Sequence, residues 1–192
     1  MKIGITGGIG SGKSYICNKF SEIYNIPIYF SDLKAKEMII DINNRKEIIN
    51  ILGEKAFIDN ELNKSYIRKL IFKNVDIKNK LEKYLHEKIK DDFERWYSKQ
   101  KSKYVLYESA LIFEKKQEKY FDKIITITVS DSIRKERVFK RDNLTNEEYE
   151  LVLKNQISDD YKIKKSDFVI DNSNLSNEEL NNEIKKINEL CQ

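Results

Sequence analysis

GGIGSGKS, at residues 7–14, fits the phosphate-loop pattern G-x-x-x-x-G-K-[ST] at every fixed position. Its glycines allow a tight turn in which several backbone N–H groups point at one phosphate oxygen, and the positive end of a following helix strengthens that attraction. In this pattern Lys13 reaches the β- and γ-phosphates, and Ser14 offers a hydroxyl to Mg²⁺. The stretch therefore predicts a nucleoside triphosphate site.

The flanks of this loop fit the context that the motif requires, a strand before it and a helix after it. Residues 2–6, KIGIT, form a short apolar run typical of a buried parallel strand. After the loop, apolar side chains recur at helical spacing up to Asn25: Ile16, Cys17, Phe20, Ile23 and Tyr24. The alternative is a glycine-rich turn that ends in Lys-Ser by chance, and both flanks disfavour it.

Composition narrows the class of protein. The 192 residues are enough for one α/β domain with a modest insertion. With 40% hydrophobic residues, 35% charged residues and one proline, the chain is typical of a soluble, helix-rich globular protein. The net charge of +4, from 36 basic and 32 acidic side chains, does not require nucleic acid, since a small anionic substrate explains it equally well.

The cysteines and the termini give further expectations. Cys17 and Cys191 lie at opposite ends of the chain without metal-ligand spacing, and we expect no disulfide. The loop follows the first residue so closely that we expect no signal peptide, and no apolar run reaches membrane-spanning length. We expect a cytoplasmic protein without membrane or nucleic-acid partners, either a monomer or a weak homo-oligomer.

Further apolar runs predict a five-stranded sheet. The runs after the first are residues 26–30, 104–108, 123–129 and 167–170. Helical patterns separate them, so we predict a P-loop NTPase fold, a mostly parallel sheet with helices on both faces. We treat 57–62 as a short polar connection and about 64–101 as a long helical region with two successive apolar faces. The organisation that we predict is a single domain, 1–192, with a helical acceptor-substrate insertion at about 55–101 and a helical lid at about 131–164.

Two acidic residues come at strand ends, where ligands bind in such sheets. Asp32 follows the second strand and is placed to accept a proton from an attacking hydroxyl or to hold a metal-bound water; its alternative role is helix capping. Glu108 ends the third strand and would reach a metal through water. The alternative for Glu108 is an edge carboxylate paired with a lysine.

Arg134, Arg137 and Arg141 occur at spacings of three and four, which puts them on one face of a helix. Guanidinium groups suit bidentate contact with phosphate oxygens. The alternative is a solvated helix face with acidic partners, but a position after the fourth strand favours a lid. His86, the only histidine, is more typical of a structural role when judged from its helix alone.

Several segments, spread over nearly the whole chain, carry a family resemblance: ITGGIGSGKS at 5–14, Asp32, ELNKSYIRKLIF at 61–72, LH at 85–86, ALIFE at 110–114, R-x-x-x-R-D at 137–142, Asn155-Gln156 and SDFVIDN at 166–172. With these segments the chain resembles the dephospho-coenzyme A kinase family. The phosphate loop is common to many kinases. The LIFE segment, the arginines and the Asp-Asn ending are much more specific in this order.

The resemblance implies a P-loop kinase that transfers the γ-phosphate of ATP to the ribose 3′-hydroxyl of dephospho-coenzyme A, with Mg²⁺ as the metal. It implies catalytic roles for Asp32, Lys13 and Arg137, and metal contacts for Ser14, Asp32 and Glu108. The residues implied in nucleotide binding are Gly8, Ile9, Gly10, Ser11, Gly12, Lys13, Ser14, Tyr15, Arg137, Arg141 and Asn172. Those implied in acceptor binding are Asp32, Arg68, Phe72, His86 and Leu111.

The chain departs from the family pattern at several positions. The first acid of the family's Asp-Ala-Asp is Phe30 here, and the prolines of its His-Pro and P-L-L-F-E are Glu87 and Ala110. Lys64 stands in for a common arginine. Asp159-Asp160 occupy a region that often carries arginine, and we hypothesise that Lys162 compensates.

Three alternatives to this function remain. Another P-loop nucleoside or nucleotide kinase would share the loop and the fold. A regulatory GTPase would need an N-K-x-D motif after a strand, and none occurs. A nucleic-acid-binding module is weaker still, because basic and acidic residues are interspersed and form no long basic stripe.

Overall fold

The computed structural model describes residues 1–142 and 144–191. By its internal contacts the chain forms two compact units, Met1–Phe30 with Gln100–Gln192, and Ser31–Lys99. The first unit contains the strands β1 (Lys2–Gly7), β2 (Ile28–Phe30), β5 (Val105–Glu108), β6 (Lys123–Thr128) and β7 (Phe168–Asp171). Its helices are α1 (Lys13–Tyr24), α6 (Asp131–Asp142), α7 (Asn146–Lys154), α8 (Asp159–Lys165) and α9 (Asn177–Leu190).

The five strands form one parallel sheet in the order β2-β5-β1-β6-β7, which confirms the predicted fold class. The central strand β1 pairs on one side with β5, with Ile5 opposite Glu108, and on the other with β6, with Gly7 opposite Ile127. Parallel strands of this kind are buried on both faces, which accounts for their nearly continuous apolar runs. The register brings the start of the phosphate loop and the end of β5 to one edge of the sheet.

The largest core cluster lies between this sheet and two helices. Ile3 and Ile5 of β1 pack with Ile16 and Phe20 of α1, and with Ile184 of α9; all five are fully buried. Five apolar side chains that bury completely contribute roughly 1.5–3 kcal/mol each. The same cluster holds α1 against the sheet, so it also fixes the direction in which the N-terminus of α1 points.

The second unit contains α2 (Ser31–Ile40), α3 (Arg45–Leu52), β3 (Phe57–Ile58), β4 (Glu61–Leu62), α4 (Lys64–Lys73) and α5 (Val75–Tyr97). Its core is built around Ile48, Leu52, Ala56 and Leu81. The unit begins at Ser31, earlier than the insertion that the sequence predicts at about 55–101.

One local prediction for this unit is wrong. Residues 57–62 are not a simple connection, since β3 and β4 form an antiparallel hairpin whose turn residues, Asp59 and Asn60, have φ of 48° and 71°. The predicted helical region at about 64–101 consists of two helices, α4 and α5, which meet at Asn74. The Asn74 side chain caps α5 by accepting from the Ile77 N–H at 3.0 Å. An asparagine that satisfies a free helical N–H favours a new helix start over continuation.

Two helices of the first unit begin with capping boxes. Thr145 and Glu148 exchange side-chain and backbone hydrogen bonds at the start of α7, and Ser176 and Glu179 do the same at the start of α9. The first of these helices ends at Lys154, and α8 follows as a separate short helix that the sequence pattern did not predict.

No helix within the described parts of the chain is both long and apolar enough to cross a bilayer.

A buried hydrogen bond ties the last helix to the region before β5. The Tyr104 hydroxyl donates to Asn188 Oδ1 at 2.8 Å, and both residues are buried. Burial raises the pKa of Tyr104, so the phenol remains a donor through the physiological range.

We expect Tyr104→Phe to lower the free energy of unfolding by about 1–3 kcal/mol, because it leaves the Asn188 amide buried without its partner. Adding Asn188→Leu removes the orphaned group and is expected to restore much of that loss. Urea unfolding of the two variants and the parent checks this. A double variant with a lower free energy of unfolding than Tyr104→Phe alone would contradict this coupling between Tyr104 and Asn188.

Candidate active site

The phosphate loop is shaped by the left-handed backbone of Gly12, with φ 90° and ψ 20°, at the N-cap of α1. A Cβ at this position would lie 2.3 Å from Asn172 Nδ2, so both the dihedral and the space require glycine. The turn leaves the first N–H groups of α1 without helical partners and directed at the loop mouth. Backbone N–H groups at a helix start attract anions, and this end of α1 carries no acidic residue in its first turn.

Asn172 fixes this turn from outside. Its Nδ2 donates to the Ser11 carbonyl at 2.9 Å, and its own N–H donates to the Thr128 carbonyl at 2.9 Å. The Asn172 carbonyl accepts from Arg137 Nη2 at 3.0 Å. One asparagine, placed directly after β7, therefore links the loop, the end of β6 and α6.

Lys13 lies at the base of the loop and is largely buried. Its ammonium donates to the carbonyls of Gly7 at 3.0 Å and Gly8 at 3.2 Å. Burial raises the pKa of the neighbouring Cys17 thiol, the negative charge of Glu108 adds to that rise, and the positive charge of Lys13 opposes it.

Glu108 is a buried acid at the carboxyl edge of the sheet, with 5% of its surface exposed. It lies opposite Ile5 of β1 and Phe30 of β2. Ser14, in the first turn of α1, is exposed. The neighbouring Tyr15 donates its hydroxyl to Asn177 Oδ1 at 3.0 Å.

The three arginines of α6 have different environments. Arg137 lies beside the loop, about 3.7 Å from the position of a Cβ on Gly12, and its Nη1 is buried without a hydrogen-bond partner among the described residues. Arg141 is mostly exposed and forms two 2.7 Å hydrogen bonds with Asp142. Those hydrogen bonds raise the pKa of Arg141. Its predicted contact with phosphates stays a prediction.

Arg134 is 4% exposed and touches the outside of the loop. Its guanidinium donates to the Ile9 and Val129 carbonyls, at 3.5 and 3.3 Å, and pairs with Asp159. Gln156 Oε1 accepts from the Ile9 N–H at 3.0 Å. Sequence reasoning placed neither residue in the site, although the arginine spacing and the Asn155-Gln156 pair drew attention to both.

Lys162 does not face this site. Its side chain is fully buried and its Nζ lies 2.9 Å from Glu114 Oε1. The hypothesis that Lys162 replaces a phosphate-binding arginine is therefore not supported by its position.

Four of the predicted acceptor residues belong to the second unit. Asp32 is exposed in the first turn of α2 and follows the end of β2 by two residues. Arg68 and Phe72 are four residues apart on α4, so they share a helix face, and both are exposed. His86 is half-buried on α5. Leu111 belongs to the first unit, where its N–H donates to Ser109 Oγ. The acceptor roles of all five stay predictions.

Comparison with known proteins identifies relatives over almost the whole chain. The family model for dephospho-CoA kinase matches residues 1–178. A dephospho-CoA kinase of Fusobacterium nucleatum is 30% identical over 193 residues, which cover 100% of this chain and 97% of the relative. A dephospho-CoA kinase of Bacteroides fragilis is 32% identical over 174 residues, covering 90% of this chain and 84% of the relative.

Solved structures share the fold. A protein of Thermus thermophilus superposes with a TM-score of 0.87 at 24% identity, covering 99% of this chain and 96% of that chain. A dephospho-CoA kinase of Campylobacter jejuni superposes with a TM-score of 0.64 at 22% identity, covering 100% of this chain and 97% of that chain.

We expect Asn172→Ala to weaken nucleotide binding by roughly three- to tenfold, because the Ser11 carbonyl loses the donor that fixes the turn. Calorimetric titration with ADP measures this. Asn174→Ala, a change at an exposed asparagine two residues away, is the control and is expected to keep the parent affinity. Equal affinities in the two variants would contradict the role given to Asn172.

Proposed function

The chain belongs to the dephospho-CoA kinase family, which uses ATP and performs the last step of coenzyme A biosynthesis, and we propose how its own residues divide that reaction. The observation that carries the assignment is the family match over residues 1–178, which covers the second unit and all of the first except its last 14 residues. In this proposal the ribose 3′-hydroxyl of dephospho-CoA attacks the γ-phosphate of ATP in line, giving coenzyme A and ADP.

The phosphate loop and Lys13 bind the β- and γ-phosphates of ATP. The ammonium of Lys13 donates to two loop carbonyls, so it already lies at the base of the turn. A phosphate oxygen would replace weak carbonyl acceptors with a charged one and strengthen these hydrogen bonds. The reaction passes through a loose transition state, so most of the rate enhancement comes from positioning and charge neutralisation.

The proposed metal at the phosphate loop is a magnesium ion. Within residues 1–142 and 144–191 no cluster of three His, Cys, Asp or Glu side chains is built to hold a metal. Magnesium needs no such cluster, since it keeps several waters and takes its remaining ligands from one or two protein groups and the substrate phosphates. The Ser14 hydroxyl, with Glu108 and Asp32 acting through water, would hold it. When bound, the ion neutralises charge on the β- and γ-phosphates.

Asp32 is the group that orients the acceptor hydroxyl and accepts its proton. It stands directly after β2, and the carboxyl ends of parallel strands are where ligands bind in open α/β sheets. Leu111, Arg68, Phe72 and His86 would line the acceptor site. An exposed arginine and an exposed phenylalanine on one face of α4 suit a ligand that carries both phosphate and ring systems.

Arg137 supplies the second protein cation to the phosphates. Its buried Nη1 is a donor without a partner among the described residues, and a phosphate oxygen would satisfy it. Arg141 would join it after releasing Asp142. Tyr15 and Asn172 complete the nucleotide contacts.

Incubating the protein with ATP, Mg²⁺ and dephospho-CoA tests this function. Mass spectrometry and phosphorus NMR are expected to identify a product phosphorylated at the ribose 3′ position, with one ADP formed for each acceptor consumed. The closest rival is another P-loop kinase that acts on a nucleoside or nucleotide. ADP release with those acceptors, and none with dephospho-CoA, would favour the rival.

We expect Lys13→Ala and Asp32→Ala each to lose turnover by about 100-fold or more, since each removes a group that acts in the transition state. Asp32→Ala is expected to keep its affinity for ATP, whereas Lys13→Ala loses it. Steady-state kinetics and calorimetry measure the two effects.

The matched control is Glu37→Ala, an exposed acid on the same helix as Asp32, and it is expected to leave turnover unchanged. Parent turnover in Asp32→Ala would remove Asp32 from the reaction. An equal loss of turnover in Glu37→Ala would show that the effect comes from disturbing helix α2 and not from the Asp32 carboxylate itself.

A further inference from the structure

The N–H and the carbonyl of Ile9 in the phosphate loop both form hydrogen bonds with side chains that are more than 120 residues away in the sequence. Gln156 Oε1 accepts from the Ile9 N–H at 3.0 Å, and Arg134 Nη1 donates to the Ile9 carbonyl at 3.5 Å. A Cβ on Gly8 would lie 2.0 Å from Arg134 Nη1 and 3.4 Å from Gln156 Oε1. Both side chains therefore lie against the outer surface of the loop and make contact with two successive residues.

The guanidinium of Arg134 is itself immobilised. Besides the loop carbonyl, it donates to the Val129 carbonyl at 3.3 Å and pairs with Asp159, whose side chain is 24% exposed. Both of its Nη atoms are used within the protein, on the two carbonyls and on Asp159, which suits a fixed support. Its buried Nε has no hydrogen-bond partner among the described residues and lies 3.6 Å from Asp131 Oδ1. In Arg137 it is Nη1, beside the loop, that the described residues leave without a partner.

A buried ion pair fixes the chain next to Gln156. Glu114 Oε1 accepts from the Ile157 N–H at 2.9 Å and lies 2.9 Å from Lys162 Nζ. Lys162 is fully buried and the Glu114 side chain is 9% exposed. The pair therefore holds both the residue that follows Gln156 and the helix α8 that carries Asp159.

This ion pair is poorly suited to stabilising the fold alone. Taking two charges out of water costs several kcal/mol, and the attraction repays that cost only if the remaining lone pairs are satisfied. Glu114 Oε2 has no hydrogen-bond partner among the described residues. The pair instead positions the backbone, because Glu114 Oε1 accepts from the Ile157 N–H and so orients the preceding residue, Gln156.

We propose that Gln156, Arg134, Asp159, Glu114 and Lys162 form a loop brace that presets the phosphate loop for the nucleotide. Its members are positioning residues: Gln156 and Arg134 hold the loop backbone, Asp159 orients Arg134, and the Glu114–Lys162 pair orients Gln156. The loop then meets the phosphates already shaped, and less binding energy is spent on ordering it. The brace deepens the proposed function, since its effect on turnover depends on the kinase reaction.

Gln156→Met is the primary test, because methionine fills a similar volume but cannot accept the Ile9 N–H. The matched control is Asn155→Leu, since the Asn155 amide donates to the Leu151 carbonyl of its own helix at 2.7 Å. Calorimetric titration of the full chain with ADP and Mg²⁺ is expected to show a three- to tenfold higher Kd for Gln156→Met, about the value of one hydrogen bond. Asn155→Leu is expected to keep the parent Kd, and both variants are expected to melt close to the parent.

In steady-state kinetics the brace predicts a split between the two substrates. Gln156→Met is expected to raise KM for ATP by a similar factor and to leave KM for dephospho-CoA unchanged. If KM rises for both substrates, or for neither of them, the proposal is overturned. An inactive parent protein that still shows the difference in ADP affinity would refute the acceptor assignment and leave the brace supported, so the two failures are distinguishable.

The buried pair is tested by Glu114→Leu combined with Lys162→Met, which replaces both charges with apolar groups and avoids leaving one of them buried alone. We expect this double variant to fold and to bind ADP as weakly as Gln156→Met. Adding Gln156→Met to it is expected to cause no further loss, because both lesions act through the same contact. If Gln156→Met weakens ADP binding of the double variant by the same factor as in the parent, the Glu114–Lys162 pair does not act through Gln156. That part of the proposal is then overturned.

Discussion

The left-handed turn at Gly12 sets the requirements for the rest of the nucleotide-binding unit. A chain that curls so that its N–H groups face one point must turn carbonyl groups to the outside, and these need donors. The donors and acceptors come from distant elements: Asn172 serves Ser11, while Arg134 and Gln156 serve Ile9. The sheet register matters because it brings the ends of β6 and β7, and with them Asn172, to the edge where β1 enters the loop.

Charge in this unit is divided between groups that are neutralised within the protein and groups that are turned toward the loop. Arg134 pairs with Asp159, Arg141 with Asp142 and Lys162 with Glu114. Lys13 donates to the carbonyls of Gly7 and Gly8 at the base of the loop, and Arg137 has one donor that the described residues do not satisfy. Although the sequence contains many lysines and arginines, Lys13 and Arg137 are the cations that we expect an anionic ligand to contact at the loop.

The sheet and the loop could be predicted from the sequence because their signals are local. The phosphate-loop motif lies within eight residues, and both capping boxes lie within four. The hairpin at 57–62 was missed because its strands are two residues long, too short for a periodic pattern, although its Asp59-Asn60 pair suits the left-handed turn it adopts. Contacts such as Gln156 with Ile9 join residues 147 positions apart, and no spacing rule reaches that far. The position of Asp32 after a strand suggested its role but left helix capping open, and the roles of the acceptor residues Arg68, Phe72, His86 and Leu111 come from resemblance alone.

The bond between Asn172 and Ser11 spans 161 positions. The ribosome releases the glycine turn long before the amide that secures it, which is added 161 residues later. The central strand β1 also lacks its partners early in synthesis, since the strands that pair with it, β5 and β6, begin at residues 105 and 123. A nascent chain that stops short of β7 therefore carries the whole signature of a nucleotide site without the amide that holds it in shape, and its exposed strand edges need protection until synthesis is complete.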